Sequence, residues 1–424
     1  MSARAVAVVL IASGALAAAS PLRAGGTPLT WDQCVREAER TNPDLSASRF
    51  SLEASRASFY GSLNGVLPQV GLSNSWGESR GSAGLSATPR WQAQASASIK
   101  LFDAGQIADI RSASAAVGTA EANLRKASAD LRQNLRQGFT HLLFAQRALE
   151  VARTVQGLRE RDAEMIVLRY NSGTESKGNM MRAQAQALQA RLSVVAGERD
   201  VRAAQRELAQ RLGREDFVDF VASGTLGAPP PPARPGHLAG LLPLRPEVLV
   251  AQAAERSARV AVSKADSTLW PSLAGDYART RTGGAEFPSA SYGWSAGLTL
   301  SYPLFGGGPT SAWYATKSAR RSLDAAEAGL ASARVQGLQA LESAWASYAD
   351  AVDQVRVVEA LLAAARQRND EADIQYASGL LSYDNWEVIA SDRISTENQA
   401  VSALKNAMDA RTAWDRALGR ALGE

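Results

Sequence analysis

One offset organises this sequence. Asn42-Pro43-Asp44-Leu45 returns as Arg245-Pro246-Glu247-Val248, 203 residues later (246 − 43). Leu67-Pro68-Gln69 returns as Trp270-Pro271-Ser272, and Leu101-Phe102-Asp103-Ala104-Gly105 as Leu304-Phe305-Gly306-Gly307-Gly308, both at 203. Tyr170-Asn171-Ser172-Gly173 and Leu212-Gly213 reappear as Tyr376-Ala377-Ser378-Gly379 and Leu418-Gly419 at 206. Ordered markers at a nearly constant spacing signal a duplicated structural unit. The two copies occupy 25–223 and 244–424, joined by a Pro/Gly-rich linker at 224–243 that contains Pro229-Pro230-Pro231-Pro232 and cannot pack as a helix.

Each copy reads helix, two strands, long helix, turn, helix. Between 105 and 169 there is no proline. Ile110, Val117, Leu124 and Leu131 recur at seven-residue spacing; Leu135, Leu142 and Leu149 continue, and Val151, Leu158 and Met165 form another row. In the second copy Leu341, Tyr348, Val355 and Leu362 run beside Leu338, Trp345 and Val352. Sustained sevens predict coiled-coil seams, and two adjacent rows predict neighbours on both sides. The return helices (179–212 and 383–418) are half as long. The first helix of each copy, 31–63 and 246–269, is expected to cover the remainder of the seam, because an uncovered apolar stripe would face water.

The intervening strands alternate strictly. Trp91, Ala93, Ala95, Ala97, Ile99 and Leu101 interleave with Gln92, Gln94, Ser96, Ser98 and Lys100; Trp294, Ala296, Leu298 and Leu300 interleave with Ser295, Gly297, Thr299 and Ser301. Strands are expected at about 66–78, 90–102, 270–281 and 291–304. Their length, aromatic ends and small polar face fit tilted transmembrane strands, with Trp91, Ala95, Ile99, Trp294, Leu298 and Leu300 facing lipid. A soluble hairpin resting on a core is the other reading. Four strands cannot close a barrel, so a barrel must be shared between chains.

Composition narrows the chemistry. The 46 basic and 42 acidic residues leave a net charge of +4, which is no footprint for nucleic acid. One Cys and two His exclude a disulfide framework and a Cys/His metal centre. Residues 1–24 read as a secretory signal peptide, with Arg4 before a short apolar run and small residues at Ala17, Ala19 and Ala24. Cys34 follows Trp31-Asp32-Gln33 and reads as a free helical thiol rather than a lipidated cysteine. Gly306-Gly307-Gly308 precedes Pro309 and lacks the Lys-Ser/Thr of a phosphate loop. His141 and His237 have no partnered nucleophile in the sequence, so neither catalysis nor a cofactor is assigned.

Taken together, Leu29-Thr30-Trp31-Asp32, Asn42-Pro43-Asp44-Leu45, Leu67-Pro68, Leu101-Phe102-Asp103-Ala104-Gly105, Pro303-Leu304-Phe305-Gly306-Gly307-Gly308 and the two Tyr-x-x-Gly turns resemble the TolC-like outer-membrane efflux family. The resemblance implies a mainly α protein with a membrane β-barrel contribution: a homotrimer with a 12-stranded barrel in outer-membrane lipid, continued by a 12-helix periplasmic α-barrel. It also implies an exit duct for efflux or type I secretion, whose inner end is closed by the two turns until a periplasmic adaptor and an inner-membrane pump dock. The adaptor contact then falls on Gly173, Thr174, Glu175 and Ser176 and on Gly379, Leu380, Leu381 and Ser382. The family often carries Asp six residues after the turn glycine, where this chain has Asn179 and Asn385. Asp384 and Glu387 are expected as a substitute acidic ring, and Tyr376 as a hydrogen-bond donor across adjacent helix pairs; solvated turn residues are the alternative. A soluble periplasmic coiled-coil scaffold is the competing function.

Overall fold

The structure, a computed structural model, describes residues 27–79, 88–216, 218–234, 236–284, 291–302 and 310–423. The leader, the repeated Leu304-Phe305-Gly306-Gly307-Gly308 marker and the tips of both strand hairpins lie outside the described residues. The first copy runs β1 (Thr27–Leu29), α1 (Trp31–Thr41), α2 (Pro43–Ser62), β2 (Gln69–Ser79), β3 (Thr88–Phe102), α3 (Ala104–Asn171) and α4 (Lys177–Leu212). The joint contains β4 (Phe220–Ala222) and a short 3-10 turn, Leu238–Leu244. The second copy runs α5 (Pro246–Ser267), β5 (Ser272–Gly283), β6 (Ser291–Ser301), α6 (Ser311–Ala377) and α7 (Tyr383–Ala417).

The long helices α3 and α6 have 68 and 67 residues. At 1.5 Å per residue each spans about 100 Å. Along α3 lie α2 and then α4; along α6 lie α5 and then α7. Leu131, Leu135, Leu142 and Val151 are buried on α3, as are Leu341, Tyr348, Val352 and Val355 on α6. The expected first helix of copy one is broken in two. Pro43 occupies the first turn of α2, and the Asn42 side chain accepts from the Leu45 amide at 2.9 Å. Proline cannot donate to the preceding turn, so the chain restarts there with a polar cap.

The sequence markers meet in space. Gly213 and Gly419 end their return helices with φ of 81° and 79°. A Cβ at Gly213 would lie 2.5 Å from the Thr41 carbonyl oxygen, and one at Gly419 would lie 2.4 Å from that of Leu244. Each glycine thus seats a return helix under the residues just before the copy's proline. Thr41 and Asn42 side chains also donate to the Leu212 and Arg211 carbonyls at 2.6 and 2.9 Å. Around this joint, β1 pairs in parallel with β4, and Cys34 is buried with Leu135, Leu142, Leu208 and Phe220. Burial pushes the Cys34 thiol up to about 12, so it stays protonated and inert.

The other four strands form one antiparallel sheet in the order β2-β3-β5-β6, with β2 and β6 as open edges. The register places Leu72, Ala95, Arg279 and Trp294 in one row across the sheet, and Ser73, Gln94, Thr280 and Gly293 in the next. Alternation along each strand therefore builds one apolar and one polar face. Trp294, Leu298 and Leu300 are exposed on the apolar face, as is Ala95, while Ile99 is half-buried. Trp91 departs from the expectation of an open lipid-facing ring, being only 4% exposed. Its neighbours across the sheet are Trp76 on β2 and Gly283 on β5. Among the described residues no helix is long and apolar enough to cross a membrane.

Candidate functional site: the two helical turns

At the end farthest from the sheet, α3 turns into α4 and α6 into α7. Both turns have the same backbone. Gly173 and Gly379 each adopt a φ of 77°, a left-handed conformation that other residues enter at a cost. Ser176 then caps α4, its hydroxyl accepting from the Asn179 amide at 3.1 Å, while Ser382 occupies the N-cap of α7 without such a bond. Gly173, Thr174, Ser176, Gly379, Leu380 and Ser382 are exposed; Glu175 and Leu381 are half-buried.

The side chains bind the hairpins together at one point. The Tyr376 hydroxyl donates to Glu175 Oε2 at 2.8 Å. Asn179 donates to the other carboxylate oxygen at 2.7 Å. Asn179 thereby orients the Glu175 carboxylate. Arg169, in the last turn of α3, donates to the carbonyls of Tyr376 and Ala377 at 3.0 and 3.1 Å. Its guanidinium also stands 4.3 Å from the Tyr376 ring centroid. The guanidinium adds a donor at C-terminal carbonyls of α6, that of Tyr376 also accepting from the Gly379 amide at 3.1 Å. Burial opposes ionisation of Glu175, but hydrogen bonds from Asn179, the Ser176 amide and Tyr376 outweigh it and hold the carboxyl below its usual range. Burial, then the contact with Glu175, pushes the Tyr376 phenol well up, keeping it a donor.

Behind this contact is an aromatic wall. Tyr376 stacks on Trp386 with centroids 4.9 Å apart, and Tyr383 completes the group. Ile166, Ala183 and Ala187 of the first hairpin pack against it. Trp386 Nε1 donates to Asp373 at 2.6 Å. Nearby, burial pushes Asp162 up to about 6, with Arg159 opposing and Asp373 adding to the shift.

The expected acidic ring is corrected here. Glu387 is 6% exposed and accepts from Gln186, Ser391 and Arg182 at 2.6, 2.7 and 3.2 Å. A buried carboxylate needs such partners, so Glu387 belongs to the packing between α4 and α7 rather than to an open surface. Asp384 is exposed, with Arg182 3.5 Å away, and Asn385 is exposed beside it. Arg159, Arg169, Arg182 and Trp386 escape the sequence reading. A basic residue in the last turn of α3 was a signal for Arg169, but nothing local tells which carbonyls it meets. Among the described residues no cluster of His, Cys, Asp or Glu is placed to hold a metal ion.

The sequence profile of the outer membrane efflux proteins matches residues 34–214 and 239–420, one stretch in each copy. The chain belongs to that family, and it is an outer-membrane efflux channel of tripartite systems, with its helical part in the periplasm. Membership does not favour the soluble-scaffold reading. Among solved structures, CusC superposes with a TM-score of 0.84 at 16% identity, covering 91% of each chain. The open-state MtrE channel of Neisseria gonorrhoeae gives 0.82 at 18% identity, covering 92% of this chain and 89% of that one. VceC of Vibrio cholerae gives 0.80 at 18% identity, covering 92% and 96%. These likenesses establish the fold, and the proteins concerned are channels rather than enzymes. No curated protein sequence matches the chain.

Proposed function

We propose that three copies close edge to edge into one duct through the outer membrane and periplasm, and that the Tyr376–Glu175 contact holds its inner end shut. The observation that carries this reading is the open strip formed by one chain. Its sheet ends in unpaired strands β2 and β6. Its lower helices follow the order α4, α3, α7, α6. On α4 and α6 the large apolar side chains of Leu188, Leu192 and Ile374 are exposed. Exposed apolar side chains and open strand edges call for neighbours of the same kind. Three chains supply twelve strands, within the range that closes around a wet lumen. The small polar face then lines the conduit, and Ala95, Ile99, Trp294, Leu298 and Leu300 face lipid.

Tripartite systems imply a periplasmic adaptor and an inner-membrane pump. The exposed turn residues Gly173, Thr174, Ser176, Gly379, Leu380 and Ser382, with half-buried Glu175 and Leu381, are the proposed adaptor contact. Asp384 and Asn385 are proposed to line the narrow inner mouth.

Assembly tests the reading. Outer-membrane fractions should contain a heat-modifiable trimer. Ala95→Arg or Leu298→Arg should cost about 2–4 kcal/mol near the bilayer midplane and deplete it. Ser96→Arg and Thr299→Arg, on the polar face, should spare it. A monomer extracted without detergent, or equal yields from the two pairs, would overturn the proposal.

A further inference from the structure

The apolar face of the sheet carries an unexplained pair of cations. Arg279 and Arg281 lie two residues apart on β5, on the same face as Tyr277. The register sets Arg279 between Ala95 and Trp294, and Arg281 between Ala93 and Tyr292. Both arginines are exposed. Among the described residues neither makes a hydrogen bond or an ion pair. Among the described residues the same face carries one acid, Glu78, at the far end of β2 opposite Pro89, two strands away. Arg90, Lys100 and Asp276 point to the other face, by the alternation of the strands.

An arginine on a lipid-facing strand costs about 2–4 kcal/mol at the midplane and about 0–1 near the interface. Two unneutralised arginines therefore mark interfacial depth. The aromatic residues agree: Trp76, Tyr292 and Trp294 occupy the same end of the sheet, where amphipathic rings settle among headgroups. This end is joined by the strand hairpins, and the opposite end by the long helices. With the helices in the periplasm, the arginines sit in the outer leaflet. The small side chains of Ala93 and Ala95 leave a shallow depression beside them, bounded by Leu72, Asn74 and Tyr292.

We propose that Arg279 and Arg281 form a binding site for the phosphate group of an anionic outer-leaflet lipid. The inference rests on the barrel reading above. Guanidinium forks match phosphate oxygens in bidentate geometry, and two of them on adjacent same-face positions answer a doubly charged phosphomonoester. The tyrosine and tryptophan beside them supply apolar surface for the first carbons of the acyl chains. A lipid clamped at this depth would fix the height of the barrel in the membrane and offset the cost of two unpaired cations.

The test uses the full-length trimer, solubilised in neutral detergent and analysed by native mass spectrometry. Diphosphoryl lipid A, its dephosphorylated counterpart and inorganic phosphate serve as probes. The wild type should retain the phosphorylated lipid. The Arg279→Gln/Arg281→Gln variant should lose about tenfold or more in retention, as expected when charge-assisted contacts are removed. Arg279→Lys/Arg281→Lys should be intermediate, and Arg90→Gln, on the polar face, should match the wild type. Equal retention by the Gln variant, equal retention of the dephosphorylated lipid, or binding of inorganic phosphate as tight as that of the lipid would overturn the proposal. Carbonate extraction of wild-type membranes separates the two levels: a protein released by carbonate overturns the barrel itself, whereas an embedded trimer with no phosphate preference overturns only the site.

Discussion

The two helical turns share a backbone and differ in what their side chains do. Gly173 and Gly379 have the same φ, and Tyr170 and Tyr376 precede them at the same distance. Yet Tyr170 is 36% exposed and Tyr376 only 3%. Glu175 of the first turn accepts the Tyr376 hydroxyl, while its counterpart in the second turn is Leu381. Met181 of α4 is exposed, and its counterpart Glu387 is the buried acceptor of Arg182 and Gln186. Duplication preserved the scaffold, and the contacts between hairpins were assembled from whichever residues diverged. In the proposed ring of three chains two kinds of hairpin alternate, and the proposed latch is made between unlike turns.

Substitutions at paired positions can break this contrast. The largest effect is expected at Glu387. Removing its charge with Glu387→Gln leaves the buried Arg159 with Asp162 as its remaining carboxylate and takes one of two from Arg182, costing about 3–5 kcal/mol. Met181→Gln should be close to neutral. Trimer dissociation temperatures compare the two, and equal shifts would show that the second hairpin is no more tightly built than the first.

Next come the glycines, where the turns should behave alike. A Cβ meets nothing within 4 Å at either Gly173 or Gly379, so alanine costs only the left-handed strain, about 1–2 kcal/mol at each. A large difference between Gly173→Ala and Gly379→Ala, by the same melting measurement, would mean that one turn is braced by contacts beyond its backbone.

Asp162 sharpens the contrast through pH. Its counterpart Arg368 is exposed, whereas burial raises Asp162 to about 6. A carboxyl raised by folding contributes stability that is complete below its unfolded value and is lost as pH rises through about 6. Asp162→Asn should therefore stabilise the trimer above pH 6 by roughly 1–2 kcal/mol and do little at pH 4. Glu175 has the opposite sign. Its depressed value keeps the Tyr376 contact present at neutral pH and releases it only as pH falls through that lowered value. An identical pH profile in the Asp162→Asn variant and the wild type would remove Asp162 from the account.

The smallest effect is expected at Asp384. With Arg182 close by and Glu387 buried, Asp384→Asn should reduce cation selectivity only slightly, read from reversal potentials in a salt gradient. A collapse of selectivity would restore a dominant acidic ring at the mouth.

Much of this architecture is legible in the residues themselves. Strict alternation in β3 and β6 needs only the two-residue pleat, and the seven-residue rows of α3 and α6 need only the helical repeat. Paired markers such as Pro43 and Gly213 stand out because each meets its partner across a close backbone contact that tolerates little else. The break between α1 and α2 is signalled by Asn42-Pro43, but the single helix expected over 31–63 passes over it because the apolar pattern continues across. Glu387 was not legible. It stands between buried Trp386 and exposed Val388, two residues past exposed Asn385, and its partners Arg182 and Gln186 lie 205 and 201 residues away. The same holds for Arg169, whose acceptors lie 207 and 208 residues on. Local periodicity carries burial by secondary structure; it carries no information on which distant polar groups meet.

Single-channel conductance in planar bilayers, comparing Tyr376→Phe with Tyr170→Phe, reads out the proposed latch between the turns. The phenylalanine keeps the stacking on Trp386 and deletes only the hydroxyl that donates to Glu175. A hydrogen bond to a charged acceptor contributes about 1.5–3 kcal/mol, equivalent to a shift of roughly ten- to a hundredfold in the balance of open and closed states. Tyr376→Phe should raise the open fraction by that factor, and Tyr170→Phe should match the wild type. Equal conductance in all three proteins, or opening by Tyr170→Phe alone, would contradict an inner end held shut by the unlike pair of turns.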